Sequence, residues 1–402
     1  MHKAGPEFPW DQASRKRIIW AARDASRVVG LTHNFYRYPA RFSPIFVRSV
    51  IEALSDPGDW VIDPFVGGGT TLVEALACGR HALGIDISSL ASFVCKAKTL
   101  VIDDREISEF ERWRALIPDI VNMHSPGKRY ERFASAGYYR NLEGRDYWRL
   151  RKAIEQLLSS IERLRLPGSR TLARCAVLRC AQWALDARET RPSVASFKNK
   201  QYAVAAEMID RARTLRGKFE TFPVDERPRT ICLNRSTAGA QKEESVRSIS
   251  PAKLIVTSPP YPGIHVLYHR WQVDGRKEAP APFWIAGQPN GAVASYFTMG
   301  DRQNPRLRTY FKQLKDSFTA VAAIAGRETT VVQMVAFSDA RWQLPKYLEV
   351  MEHCGLVEER PWGFFDGDKR LWRDVPNRRW HARQRSNSPG AREVVLVHRK
   401  RR

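Results

Sequence analysis

Three consecutive glycines between an apolar strand and a helix constrain this chain's fold more than any other segment: Val61-Ile62-Asp63-Pro64-Phe65-Val66-Gly67-Gly68-Gly69-Thr70-Thr71. Glycine lets backbone approach a ligand closely at the start of the following helix. Residues 59–62 read as a short strand, 71–78 as a helix, 81–85 as a second strand and 89–98 as a second helix. That βαβα start belongs to a doubly wound parallel sheet. The spacing is not a phosphate loop, since no Gly-Lys-Ser/Thr follows, and not the Gly-x-Gly-x-x-Gly dinucleotide fingerprint. Asp63 ends the first strand and would face the crevice at the sheet's carboxyl edge, where it suits a cationic ligand group. Asp86 ends the second strand twenty-three residues on, a spacing that suits ribose hydroxyls.

From about 105 to 228 the pattern turns helical, with apolar residues at three- and four-residue spacings over 147–164 and 172–187 and a break at Pro167-Gly168. Strands resume at 230–233 and 254–256, followed by an amphipathic helix over 310–324 and a β-branched strand over 329–337. A helix over 344–354 is closed by Gly355, and a last strand covers 393–397. Three segments follow: 1–104, a helical insertion over 105–228, and 229–402.

The second chemical signal is Leu254-Ile255-Val256-Thr257-Ser258-Pro259-Pro260-Tyr261. Two prolines cannot continue a parallel strand, because they lack N–H donors and fix φ. The backbone must leave the sheet and hold its carbonyls outward. A rigid carbonyl and the Ser258 hydroxyl can accept from an exocyclic amino group, and Tyr261 offers a flat face to a base.

The 402 residues carry 66 Lys+Arg against 43 Asp+Glu, a net charge of +23. The excess is uneven: +1 over 1–104, +9 over 105–228, +5 over 229–362 and +8 over 363–402. A polyanionic partner fits the middle and the tail, where Trp372, Arg373, Arg378, Arg379, Trp380, Arg383 and Arg385 mix rings with guanidinium groups. In the middle segment, solvated arginines and a packing lid are the alternative to a DNA contact. No stretch approaches the roughly 20 continuous apolar residues of a membrane span, and the N-terminus lacks a signal-peptide core, so a cytoplasmic protein is expected. The six cysteines form no Cys-x-x-Cys and no Cys/His cluster, so no metal site is expected.

The motifs resemble those of the amino-group DNA methyltransferases. Asp-Pro-Phe-x-Gly-x-Gly-Thr is similar to their motif I, Gly84-Ile85-Asp86-Ile87 to motif II, and His33–Phe42 (residues 33–42, with Tyr-Pro-Ala-Arg-Phe at its end) to motif X. Ser-Pro-Pro-Tyr resembles motif IV. The resemblance implies a Rossmann-like class I methyltransferase: α/β, a seven-stranded mostly parallel sheet, an antiparallel C-terminal hairpin and a large helical insertion. It implies S-adenosyl-L-methionine as cofactor, held by Tyr38, Arg41, Asp63, Phe65, Gly67, Gly69, Thr70, Asp86 and Ile87. Ser258, Pro259, Pro260 and Tyr261 would carry catalysis, with Ser258 Oγ and the Pro259 carbonyl accepting from the target amine.

The Ser variant of motif IV, preceded by Thr, points to the N4 of cytosine in a flipped-out base, with the N6 of adenine as the alternative. An RNA methyltransferase and a non-catalytic DNA-binding protein are more distant alternatives. A C5-cytosine enzyme is excluded, because none of the cysteines follows a proline. The expected partners are DNA, gripped by Arg373, Arg378, Arg379 and Arg383, and a cognate restriction endonuclease in a bacterial, nucleoid-associated setting. Two departures stand out. The order X, I, II, insertion, IV is not that of many N4-cytosine enzymes. Residues 230–236 replace the family's frequent Gly-Asp-Ala, leaving Asn234 or Ser236 as substitutes near the cofactor's adenine.

Overall fold

The computed structural model describes all residues except 1–9, 27, 39–40, 189, 264–269, 274, 276, 290–298, 301–303, 363–368, 375–391 and 402. Ten strands are described: β1 (Trp60–Asp63), β2 (His81–Asp86), β3 (Thr230–Asn234), β4 (Ala252–Thr257), β5 (Trp271–Val273), β6 (Lys277–Ala279), β7 (Ala325–Ala336), β8 (Leu356–Glu359), β9 (Leu371–Asp374) and β10 (Arg392–Lys400). The main sheet runs β3-β2-β1-β4-β7-β10-β8, with β9 also on β10, and β5 pairs with β6 as a separate ribbon. Strands β3, β2, β1, β4 and β7 run parallel to one another, while β10 is antiparallel to β7, β8 and β9.

The sheet thus has eight strands where seven were expected. The cause is the length of β10, which runs nine residues. Its outer edge takes β9 at Arg392 to Val395 and then β8 at Val397 to Lys400, two short strands end to end. Unpaired backbone groups along a long edge favour such cover.

The chain lays down β1, moves outward to β2 and β3, and then crosses to β4 and β7 on the other side. Direction therefore reverses between β1 and β4, where Ile62 pairs with Ile255. The carboxyl ends of strands at such a switch point form the crevice that open α/β sheets use for ligands. Asp63 and Thr257 are the last residues of those two strands.

The insertion contains helices Asp104–Ala115, Trp148–Ile161, Pro167–Leu185 and Val194–Glu220. Asp103 and Glu106 close a capping box at the first, and Pro167, read from sequence as a break, occupies the first turn of the third. The insertion shares its apolar core with the rest of the chain. Leu90, Ala91 and Val94 of helix Ser89–Thr99 belong to the same cluster as Leu157, Leu178 and Met208, and so do Trp271 and Trp284. No described helix is long and apolar enough to cross a membrane.

Candidate functional site

The glycine loop turns as it does because two of its residues adopt φ values that side chains resist. Gly67 sits at +45° and Gly69 at +77°, the latter capping helix Thr70–Ala77. Gly68 is excluded from having a side chain for a different reason: a Cβ there would lie 2.8 Å from Cβ of Tyr38. Tyr38, from the segment before β1, therefore packs directly on the loop. On the other side Lys98, fully buried, donates from Nζ to the Gly68 carbonyl at 2.8 Å.

Asp86 fixes the loop from β2. Its Oδ2 accepts from the Gly67 N–H at 2.9 Å and its Oδ1 from the Ser88 N–H at 2.8 Å. Asp63 bridges the switch point. Its Oδ1 accepts from Thr257 Oγ1 at 2.7 Å and from the Phe65 N–H at 3.1 Å, and its Oδ2 from Thr71 Oγ1 at 2.7 Å. Burial pushes both carboxyl groups up to about 6, against the hydrogen bonds that favour their charged forms.

A cavity of about 340 Å3 opens at this crevice. Its walls include Tyr38, Arg41, Asp63, Phe65, Gly67, Thr70, Asp86, Ile87, Ser258, Pro260 and Tyr261. Among the cofactor and catalytic candidates only Gly69 and Pro259 lie outside the lining, Gly69 because it faces Cys95. The two motifs, nearly 200 residues apart, share one space.

The Pro-Pro loop is anchored from two directions. The Pro260 carbonyl accepts from the Tyr310 hydroxyl at 2.8 Å. The Tyr261 hydroxyl lies 2.9 Å from Ser258 Oγ and donates to Glu393 Oε1 at 2.8 Å.

Sequence reasoning missed several lining residues. Thr237, Ala238, Gln313, Asp316 and Ser317 face the cavity, and nothing local in sequence marks them. Of the two substitutes on the third strand, Ser236 lines the cavity, while Asn234 donates to the carbonyls of Asp86 and Ile87. Arg373 corrects an expectation. It is buried, and its guanidinium meets Glu393 Oε2 at 2.7 Å, so it is not a surface group for phosphates. Strand β9 turns it inward opposite Glu393. Arg378, Arg379 and Arg383 lie outside the described residues.

A second, basic cavity adjoins the first, and Arg41 lines both. Its other walls include Arg37, Arg179, Trp183, Arg188 and Lys200. Arg188 and Lys200 lie 4.7 and 5.8 Å from the Trp183 ring centroid. Arg179 pairs with Glu207 at 2.6 Å. Asp186 shares the wall and feels the charge of Arg37, whereas Arg41, Arg188 and Lys200 form no ion pair with a described carboxylate; burial, then the nearby Arg37, lower the pKa of Arg41. No group of three His, Cys, Asp or Glu among the described residues could hold a metal ion.

The DNA methylase family of the N6/N4 type matches residues 9–92. The type II methyltransferase M.MvaI of Kocuria varians is 38% identical over 81 residues, 19% of this chain and 18% of that protein. The DNA adenine methyltransferase YhdJ of Escherichia coli is 33% identical over 88 residues, 22% of this chain and 29% of that one. The chain thus spans less than a third of the length of the relatives it matches. Among solved structures, a TehB-like SAM-dependent methyltransferase from Corynebacterium glutamicum aligns over 88% of this chain and 87% of its own, with 9% identity and a TM-score of 0.32. The matched residues 9–92 include the glycine loop, Tyr38, Arg41 and Asp86, so the similarity to the N6/N4 DNA methylase family falls on one wall of the cavity.

Proposed function

We propose that this chain is an S-adenosyl-L-methionine-dependent DNA methyltransferase that acts on the exocyclic N4 amino group of cytosine in a flipped-out base. One observation carries the reading: Ser258, Pro260 and Tyr261 line the same cavity as Asp63, Gly67 and Asp86. A binding loop and an amine-accepting loop meeting at a switch point are what transfer between a bound cofactor and a base requires.

The residues present fit the cofactor. Two carboxyl groups, the buried Asp63 and the half-buried Asp86, face a cavity within the roughly 300–1,000 Å3 range of small-molecule sites. Asp86 and Ile87 would hold the ribose and adenine end, with Ser236 nearby. Asp63, Gly67, Gly69, Phe65 and Thr70 would hold the amino-acid end, closed by Tyr38 and Arg41. When bound, the cofactor supplies an electrophilic methyl group. The chain's own part is to accept. Ser258 Oγ and the Pro259 carbonyl would take hydrogen bonds from the target amine, drawing its lone pair out of the ring, and Tyr261 would stack on the base. Catalysis is then positioning and electrostatics.

The Thr257-Ser258 pair before the prolines favours cytosine N4. Adenine N6 is the second reading, supported by the similarity to YhdJ, whose name gives it adenine. DNA would run over the basic cavity beside Arg41, with segment 105–228 contributing target recognition and Arg378, Arg379 and Arg383 further phosphate contacts. By likeness to M.MvaI, a type II methyltransferase, a cognate restriction endonuclease is the expected partner, in a cytoplasmic, nucleoid-associated setting.

The test is to incubate the purified chain with cofactor and duplex DNA, then digest to nucleosides for mass spectrometry. N4-methylcytosine is expected. Methyladenine instead moves the assignment to N6, and methylation of RNA alone, or no product, overturns the reading.

A further inference from the structure

Outside the cavity lining, two buried charged residues reach the site through a phenol. Arg373 on β9 and Glu393 on β10 are cross-strand partners, with side chains only 6% and 7% exposed. Glu393 Oε2 receives both Nε and Nη2 of Arg373 at 2.7 Å. Its other oxygen, Oε1, accepts from the Tyr261 hydroxyl at 2.8 Å, and that hydroxyl lies 2.9 Å from Ser258 Oγ.

The polarity of this chain of bonds follows from its ends. An arginine only donates, and an ionised carboxylate only accepts. Tyr261 must therefore spend its single hydrogen on Glu393. Its oxygen is left as the acceptor in the bond with Ser258, so the Ser258 hydrogen points to Tyr261. Ser258 Oγ then turns lone pairs, not a hydrogen, to the cavity. A free serine hydroxyl could serve equally as donor to a ring nitrogen or carbonyl. Here it is set as an acceptor, which matches an amino group.

We propose that Glu393, held by Arg373, is a positioning residue that fixes the Ser258 hydroxyl as an acceptor through Tyr261, and so selects a hydrogen-donating amine. This rests on the reading that Ser258 contacts the target amine.

Glu393→Gln tests it without removing a heavy atom. The amide oxygen must turn to the Arg373 donors, which leaves its NH2 facing Tyr261. Tyr261 then accepts from the amide and donates to Ser258, and the Ser258 hydrogen is turned toward the cavity. The expected result is at least a tenfold fall in kcat, with cofactor Kd and DNA KM within twofold of wild type. In a Tyr261→Phe background, Glu393→Gln should add nothing, because the relay is already cut. Tyr261→Phe leaves the buried ion pair intact and should itself lower kcat by a similar factor. Full turnover in Tyr261→Phe overturns the proposal whether or not Glu393→Gln folds. Full turnover in Glu393→Gln, or an equal further loss in the Tyr261→Phe background, does so too. Failure of the wild-type chain to methylate any amino group strikes the underlying functional reading instead.

Discussion

The Lys98 ammonium is wholly buried and donates to the Gly68 carbonyl at 2.8 Å, tying helix Ser89–Thr99 to the glycine loop. Burial lowers its pKa from 10.5 to about 8. Below pH 8 the folded and unfolded chains both hold the proton, and the fold bears the cost of the buried charge. Between pH 8 and 10.5 the unfolded chain holds one proton more, so this group's contribution to stability rises with pH, by up to about 3 kcal/mol. Buried Cys175, pushed up to about 12, works in the opposite direction at higher pH. The readout is therefore a difference. The stability of Lys98→Met relative to wild type, from urea midpoints, should fall as pH rises from 8 to 10. A flat difference would mean that the Lys98 ammonium keeps its ordinary pKa near 10.5 in the folded protein and stays charged across the range.

Asp86→Ala should weaken cofactor binding about 10- to 100-fold, the loss expected for hydrogen bonds to a charged group. The same change leaves the Gly67 N–H without its partner. In the wild type, affinity should drop as pH falls through about 6, where the carboxyl gains a proton and loses an acceptor lone pair. Calorimetry with S-adenosylhomocysteine at pH 5, 6 and 8 measures both effects. An affinity that ignores the substitution removes Asp86 from the ribose role.

Ser258→Ala should lower turnover about 10²-fold, by analogy with the loss of one preorganised polar contact to a transition state. Cofactor affinity should hold if Ser258 meets the target amine, as proposed, rather than the cofactor. Single-turnover methylation beside a cofactor titration separates the two. Equal losses in both would make Ser258 a structural contact of the cofactor pocket.

Much of this site could be read from local sequence, because its parts are local. The glycine loop, Asp86 at a strand end and the Pro-Pro exit each follow from a strand meeting a turn. Glu393 could not be read so, because it reaches Tyr261 from 132 residues away, through the pairing of β10 with β7 and β9. Arg373 misled for the same reason: an Arg/Trp-rich stretch reads as surface until its partner strand is known. The eighth strand was hidden because β9 is four residues long and holds an edge that only the length of β10 creates.

Glu74 joins the segment before β1 to the helix after the glycine loop. It is 1% exposed, with His33 Nε2 at 2.6 Å on one oxygen and Arg48 Nε at 2.6 Å on the other. Burial lowers the pKa of His33, the Glu74 contact opposing it. Arg48 is 45% exposed and can turn to water, so the main cost of removing Glu74 is the buried His33 ring left without its partner, about 1–3 kcal/mol. Glu74→Ala should lower unfolding stability by that order, and Glu74→Gln by less. A loss under 1 kcal/mol for Glu74→Ala would mean that His33 and Arg48 find solvent or other partners.

DNA contact at the basic cavity has a quantitative signature. Each phosphate neutralised by a cation contributes about 0.9 to the slope of log affinity against log salt. Arg37 and Lys200 line that cavity and lie outside the one proposed for the cofactor, so changing them should spare cofactor binding. The double change Arg37→Gln/Lys200→Gln should reduce the slope by about 2 if each meets one phosphate. Fluorescence anisotropy of a labelled duplex between 50 and 200 mM salt, a range chosen at about the scale where such slopes are resolved, supplies the measurement. An unchanged slope with unchanged affinity moves the DNA path away from helices Pro167–Leu185 and Val194–Glu220 and leaves Arg378, Arg379 and Arg383 as the residues to test next.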